Sequence, residues 1–117
     1  MRKISSSNYN NEISITQKCP ITSTMLAIGG RWKLIIIWHL RKGALRYNGV
    51  KKAIPNISEK MLIQQLKDLE NDGWVVKKNY NEIPPRTDYN LTKLGKSFLP
   101  ILENIYSWGV KNKITNM

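Results

Sequence analysis

A chain of 117 residues with a net charge of +11 is long enough for one domain with its own core and too short for two. This charge exceeds what solubility requires, and it indicates a polyanionic partner. Cys19 is the single cysteine, which excludes an internal disulfide. The longest apolar run, 34–38, is too short to cross a bilayer, and Met1-Arg2-Lys3 is not followed by the apolar run of a signal peptide, so we expect a cytoplasmic protein.

The inventory of reactive side chains argues against an enzyme. One histidine, one cysteine and scattered acids offer no nucleophile–base pair and no metal-ligand cluster. There is also no glycine-rich phosphate loop. His39 shares a helix face with Trp32 and Ile35, which favours a packed or half-buried histidine over a metal ligand. We therefore expect no catalytic residues, no metal and no cofactor.

The charges are segregated along the chain. No acid occurs between Glu12 and Glu59. The basic residues of that stretch are Lys18, Arg31, Lys33, Arg41, Lys42, Arg46, Lys51 and Lys52. A general surplus of lysine does not explain such a purely cationic stretch.

The first elements are an arm and two helices. Residues 1–17 are polar without a sustained period, which predicts a flexible N-terminal arm before a domain over 18–113. A short helix follows Cys19-Pro20, capped by Thr22 or a neighbour, and ends at Gly29-Gly30. A second helix over 31–41 is apolar almost all round, which is typical of a helix at the centre of a core.

The next stretch predicts a helix-turn-helix unit. A short extended piece at 45–47 and a short helix over 49–54 lead into the turn Pro55-Asn56-Ile57. A longer helix follows over about 58–72, with Ser58 as its N-cap, Glu59 at the positive end of its dipole and Gly73 at its end. A helix, a tight turn and a second capped helix make the unit, whose second helix is the recognition helix.

The two faces of the predicted recognition helix differ in chemistry. At 100° per residue the apolar stripe contains Leu62, Leu66 and Leu69, with Gln65 beside it. The opposite face contains Lys60, Gln64, Lys67 and Asn71. Apart from Glu59 at its start, the acids of this helix are confined to its second half, at Asp68, Glu70 and Asp72. A helix whose N-terminal half presents ammonium and amide donors is suited to a polyanion.

The remainder of the chain predicts a wing and a last helix. Residues 74–80 and 87–91 read as two strands of a wing over about 74–91, with the prolines in the connection. A helix over 92–111, capped by Thr92, carries a wide apolar stripe. Either it folds back onto its own domain, or a symmetric partner covers it; we expect the partner. The residues predicted at that dimer interface are Met25, Leu26, Phe98, Leu102, Ile105 and Trp108.

The whole pattern resembles the HxlR-type winged helix-turn-helix transcriptional regulators, which are relatives of the MarR group. The matching segments are Cys19-Pro20, residues 28–34, 43–48, 54–58, 60–66, 69–73 and 91–95, and Pro84-Pro85-Arg86. The resemblance implies a mainly α fold with a small β-wing and a homodimer joined through the first and last helices on a palindromic operator. One departure is Gly49, in place of a charged helix former, which weakens its helix by up to about 1 kcal/mol relative to Ala.

The DNA contacts divide into two kinds. Base edges are expected to meet Lys60 and Gln64, with Ser58 and Glu59 at the helix tip, because these side chains match base donors and acceptors in the major groove. Phosphates are expected to meet Lys67, Arg46, Lys51 and Lys52, and Arg86 is placed at the wing tip to reach a minor groove or its phosphates. Each lysine has the alternative of being a solvated charge.

Two alternatives remain open at this point. Cys19 resembles the cysteine that senses electrophiles or oxidants in some members of the family and can form a disulfide between subunits. Lys18 and the following helix N-terminus favour its thiolate, but a packed or idle thiol fits the sequence as well. A small-molecule effector is the other mode of control. We expect a regulator that binds double-stranded DNA. The alternative function is a basic winged-helix adaptor that binds RNA or a protein.

Overall fold

The computed structural model describes residues 19–114, so the predicted arm over 1–17 and Lys18 lie outside the described residues. Within that range six helices and three strands follow one another. They are α1 (Pro20–Ile28), α2 (Lys33–His39), β1 (Leu45–Arg46), α3 (Tyr47–Ala53), α4 (Glu59–Asn71), β2 (Val75–Tyr80), β3 (Arg86–Leu91), α5 (Lys93–Ser97) and α6 (Leu99–Lys111). The predicted α-helical fold with a small β-wing is confirmed.

Helix α1 begins one turn earlier than a Thr22 cap would allow. Cys19 is the N-cap residue and Pro20 occupies the first turn, where a missing N–H costs nothing, so Thr22, the first of the caps considered, lies inside the helix. At the other end the N–H of Gly29 donates to the carbonyl of Met25. A Cβ on Gly29 would collide with that oxygen, which explains the glycine.

Helix α2 forms the centre of the core but is shorter than the predicted 31–41. Its Ile36 and Ile37 are fully buried, as is Leu40 just after it, whereas Ile35 remains partly exposed. The helix ends because the N–H of Arg41 turns back to the carbonyl of Trp38. The other buried side chains of the core are Ile28, Val50, Ile54, Ile57, Leu62, Leu66, Leu69, Val75, Leu91 and Leu102.

Helices α3 and α4 form the predicted helix-turn-helix unit. The short helix α3 begins at Tyr47, two residues before the predicted start, and Gly49 is accommodated in its first turn. Ile57 in the connecting turn is 1% exposed and anchors the turn to the core. Helix α4 has the predicted boundaries: the Ser58 hydroxyl accepts from the N–H of Met61 (3.1 Å), and Gly73 adopts φ +87° beyond its end.

The wing belongs to a three-stranded antiparallel sheet in the order β1-β3-β2. Strands β2 and β3 pair from Val75 opposite Leu91 to Tyr80 opposite Arg86. The predicted extended piece is β1, which pairs with the edge of β3 that does not face β2, with Arg46 opposite Asp88. The sheet thus connects the wing to the residues that precede α3.

The predicted last helix is divided in two. Thr92 caps α5, accepting from the N–H of Gly95 (3.1 Å), and its own hydroxyl donates to the carbonyl of Gly73 (2.6 Å). The helix breaks at Phe98, and α6 starts at Leu99. Pro100 causes the break, because it has no N–H to donate to the carbonyl of Lys96 and continue the helical ladder.

Candidate nucleic-acid interface

Helix α4 presents the predicted polar face on the surface. Leu62, Leu66 and Leu69 are buried against the core. The side chains of Glu59, Lys60, Gln64 and Lys67 are exposed, as is the capping Ser58. Because the turn before α4 is anchored by Ile57, the orientation of this face is fixed relative to the rest of the domain.

The amide of Gln64 is not free on this face. Its Nε2 donates to Oδ1 of Asp68 at 3.0 Å, one helical turn farther along. The acids that the sequence confines to the second half of the helix therefore include one that contacts a predicted base-reading residue.

Ile63 is a residue of this face that the sequence pattern did not single out. It lies between the core stripe and the polar face, and 57% of its side-chain surface is exposed. An apolar side chain next to Lys60 and Gln64 is suited to the methyl group of thymine in a major groove. The signal was present in the sequence, since Ile63 is out of phase with the leucines.

The predicted phosphate contacts of the first half differ in their surroundings. Lys52 at the end of α3 and Arg46 before it are exposed. The ammonium of Lys51 instead donates to the carbonyl of Pro55 at 3.1 Å, so this lysine ties α3 to the turn. Arg41, in the same cationic stretch, donates to the carbonyl of Trp38 and lies 4.0 Å from the centre of its ring.

Arg86, predicted to reach DNA from the wing tip, lies where the connection of the wing enters its second strand. It is the first residue of β3, and its guanidinium lies 3.7 Å from the centre of the Tyr80 ring. Glu82 and Asp88 approach it at 3.8 and 3.7 Å, and only 27% of its side chain is exposed. The register places Arg86 directly opposite Tyr80, where stacking and charge hold its side chain, and its contact with DNA stays a prediction.

The sheet face around Arg86 carries further cations. Opposite residues point to the same face, so Arg46, Asp88 and Lys78 form one row across the three strands. Lys78 is exposed, and its Nζ lies 4.9 Å from the centre of the Tyr80 ring. The sequence did not single out Lys78, because Lys77 and Lys78 are adjacent and the pattern does not show which of the two lies on the face of Arg86.

Cys19 lies at the N-terminus of α1 with a partly exposed side chain. The hydroxyl of Thr22 lowers the pKa of the Cys19 thiol most, followed by the backbone N–H of Thr22, while burial opposes the shift. Lys18, which was predicted to favour the thiolate, lies outside the described residues. A lowered pKa increases the reactive thiolate fraction at neutral pH.

The apolar residues of α6 divide into a buried and an exposed set. Leu102 is 6% exposed, and Phe98 packs edge-on against Trp74 with ring centres 6.0 Å apart. Leu102 therefore packs in the core of its own domain and Phe98 packs at the edge of that core, and their place at a dimer interface stays a prediction. Ile101, Ile105 and Trp108 form an exposed stripe on α6. On α1, Met25 is also exposed, and Leu26 is half-buried.

A cavity of about 370 Å³ lies between α2 and α6. It is lined by Leu34, Ile35, Trp38, His39, Leu102, Ile105 and Tyr106. Trp38 and Tyr106 stack at 5.3 Å and join the two helices. Burial lowers the pKa of His39, and the charge of Arg41 adds to the shift, which favours a neutral, packed imidazole.

The structure between residues 19 and 114 offers no other site of known chemistry. In that range no group of three His, Cys, Asp or Glu side chains is placed to hold a metal ion. Nor does it contain a helix long and apolar enough to cross a membrane.

A helix-turn-helix unit whose recognition helix exposes a polar face, followed by a β-wing, defines a winged helix-turn-helix transcriptional regulator. The profile of the HxlR-like helix-turn-helix family matches residues 27–117, and the chain belongs to that family. The relatives in this family are HTH-type transcriptional regulators, which are not enzymes.

Three proteins illustrate the likeness. The uncharacterized HTH-type transcriptional regulator BH0655 of Halalkalibacterium halodurans is 40% identical over 111 residues, which cover 94% of this chain and 98% of that protein. A crystal structure of a MarR-family transcriptional regulator from Porphyromonas gingivalis W83 is 42% identical and superposes with a TM-score of 0.78 over 95% of this chain and 99% of that one. The redox regulator HypR in its oxidized form is 36% identical, with a TM-score of 0.78 over 85% of this chain and 100% of that one.

Proposed function

We propose that the protein binds a palindromic operator in double-stranded DNA as a homodimer, with α4 of each protomer in the major groove. The observation that carries the proposal is the exposed face of α4, where Lys60, Gln64 and Ile63 lie side by side on a helix anchored by Ser58 and Ile57. These three side chains supply an ammonium, an amide and an apolar group, which are the chemistries that distinguish base pairs in that groove.

The dimer is supported by the exposed stripe of α6. Ile101, Ile105 and Trp108 are each about half exposed or more, beside a core that is already filled by Leu102 and Phe98. A contiguous apolar stripe of this kind is covered most simply by its own copy across a twofold axis. The cavity between α2 and α6 adjoins the stripe and is our candidate for the pocket of a small apolar effector.

Selection of bound fragments from genomic DNA, followed by titration of purified duplexes, tests operator binding. We expect a recovered palindrome to bind about 1,000-fold tighter than a scrambled duplex of the same length and salt. Equal affinity for the two duplexes would overturn the proposal. Preference for single-stranded RNA, with a monomer in solution, would instead favour the basic adaptor, which no contact between residues 19 and 114 supports.

Ile63 gives a test at the level of a single methyl group. We expect replacement of one thymine per half-site by uracil to weaken binding of the wild-type protein by roughly five-fold, because the methyl contact is lost. Ile63→Ala should bind the thymine and uracil duplexes equally. If the variant still distinguishes them at every position, Ile63 does not read thymine.

Arg86 tests the wing. We expect Arg86→Ala to weaken binding to every duplex and to lower the slope of log affinity against log salt by about one, because one phosphate contact is lost. Arg86→Lys keeps the charge and loses the stack on Tyr80, so it should keep the wild-type slope. An unchanged slope in Arg86→Ala would leave Arg86 with a purely structural role in the wing.

We further propose that oxidation of Cys19 controls the affinity for the operator. The support is the lowered pKa of the thiol at the start of α1 and the likeness to the redox regulator HypR. With hydrogen peroxide as the oxidant, two thiols form one disulfide between subunits and two molecules of water are released. Peroxide treatment that leaves both the operator affinity and the migration in non-reducing gels unchanged would remove this proposal, with Cys19→Ser as the control.

Thr22→Val tests the chemical basis of that control. The substitution removes the hydroxyl that contributes most to the shift, so the pKa of Cys19 should rise toward its ordinary value. The rate of alkylation by iodoacetamide follows the fraction of thiolate. The midpoint of the curve of rate against pH should therefore move to higher pH, and the rate at pH 7 should fall by about two- to five-fold. Thr24→Val is the matched control, because its hydroxyl donates to Pro20 instead. Identical pH profiles for wild type and Thr22→Val would contradict this account.

A further inference from the structure

The contact between Gln64 and Asp68 constrains how the recognition helix can read DNA. The two residues are one turn apart on α4, and the amide Nε2 of Gln64 lies 3.0 Å from the carboxylate Oδ1 of Asp68. Gln64 is exposed on the face that carries Lys60, whereas Asp68 is partly buried one turn nearer the helix C-terminus. The carboxylate is thus set back from the tip of the helix that leads into the groove.

The chemistry of the pair fixes the orientation of the amide. An ionised carboxylate only accepts hydrogen bonds, so the nitrogen of the Gln64 amide must face it and the carbonyl oxygen must turn away. The bond uses one of the two N–H donors of Nε2. The carbonyl oxygen and the second N–H then form the outer edge of the amide, and this donor–acceptor edge is complementary to the 6-amino group and N7 of adenine.

We propose that Asp68 is a positioning residue that holds the Gln64 amide in the orientation that selects adenine at one base pair of each half-site. This inference rests on the proposed operator binding and adds to it the base that is read and the residue that sets the choice. A freely rotating amide presents either its oxygen or its nitrogen to the groove and tolerates other bases. The carboxylate therefore increases specificity, although its negative charge lowers affinity for any duplex.

Because the carboxylate raises specificity but lowers affinity, a positioning role of Asp68 can be distinguished from a simple effect of its charge. Asp68→Asn keeps the size of the side chain, removes the charge, and offers both a donor and an acceptor to Gln64, so the amide is free to flip. Glu70→Gln removes a charge from the same helix at an exposed position on another face. Both variants should bind all duplexes more tightly, and only Asp68→Asn should lose base selectivity.

The experiment uses the full-length wild-type protein and synthetic duplexes of its selected operator. Gln64→Ala first identifies the base pair at which it loses discrimination, and that adenine is then replaced by purine, which lacks the 6-amino group, or by each other base. We expect wild type and Glu70→Gln to lose roughly ten-fold in affinity on these replacements, Asp68→Asn about two-fold, and Gln64→Ala almost nothing. The double variant Gln64→Ala, Asp68→Asn should behave as Gln64→Ala alone, since Asp68 acts through the amide.

Three results would overturn the inference in different ways. If the wild-type protein binds its operator specifically but Asp68→Asn keeps full selectivity for adenine, Asp68 has no positioning role, and operator binding stands. If no base pair depends on Gln64, the amide does not read DNA, and the inference also fails. If wild type shows no preference for any duplex, the proposed operator binding itself is overturned.

Discussion

Replacing Ile105 by aspartate should convert the proposed dimer into a folded monomer and weaken operator binding by about 100-fold or more. Ile105 is 52% exposed in the isolated domain, so a carboxylate there remains hydrated in the monomer. In the dimer the same carboxylate would be buried without a partner, which costs several kcal/mol. The loss of affinity follows because two linked half-site contacts become one, and the avidity of the pair is lost.

The measurement is sedimentation velocity together with titration of the operator duplex at constant salt. Ser107→Asp is the matched control, because it adds the same charge on the polar side of the same helix and should leave both the dimer and the affinity unchanged. Leu102→Asp is the opposite control, since Leu102 lies in the core and its replacement should unfold the protein. A stable dimer of Ile105→Asp with wild-type affinity would show that α6 is not the interface.

The division of α6 into buried and exposed apolar residues was not predictable from periodicity. Phe98, Leu102, Ile105 and Trp108 all belong to one wide stripe, and the sequence pattern does not state which part the domain itself covers. The packing of α6 against α2 decides this, through the stack of Trp38 on Tyr106. The break at Phe98 has a cause that is visible in the sequence, Pro100. The prediction of a single helix followed the apolar stripe instead.

The recognition helix was predictable because its signals are local. Ser58 supplies the cap, Gly73 supplies the positive φ beyond the end, and the leucines repeat with the helical period. The contacts that modify its face are partly local as well, since Gln64 and Asp68 are four residues apart. Arg86 differs, because its partner Tyr80 is known only once the register of β2 and β3 is known. Long-range pairing therefore limited the prediction of the wing more than that of the helix.

The second large effect is expected at Lys60, whose replacement by alanine should reduce sequence preference at one base pair of each half-site. Lys60 is exposed in the first turn of α4, the part of the helix that enters the groove first. A base contact of this kind contributes about 1–3 kcal/mol of discrimination, so the preference should fall by roughly 5- to 150-fold. Gln64→Ala should act in the same way at a neighbouring base pair.

Lys67→Ala is the matched control for Lys60→Ala, because both residues carry one charge on the same face of the same helix. Lys67 lies two turns farther along and is expected at phosphate, so its loss should weaken specific and scrambled duplexes equally and lower the salt slope by about one. The twofold axis adds a further requirement: the Lys60 effect must occur at both half-sites, whose centres lie about 34 Å or a multiple of it apart. Equal losses on operator and scrambled DNA for both variants would place Lys60 on the backbone and leave base reading to Ile63 and Gln64.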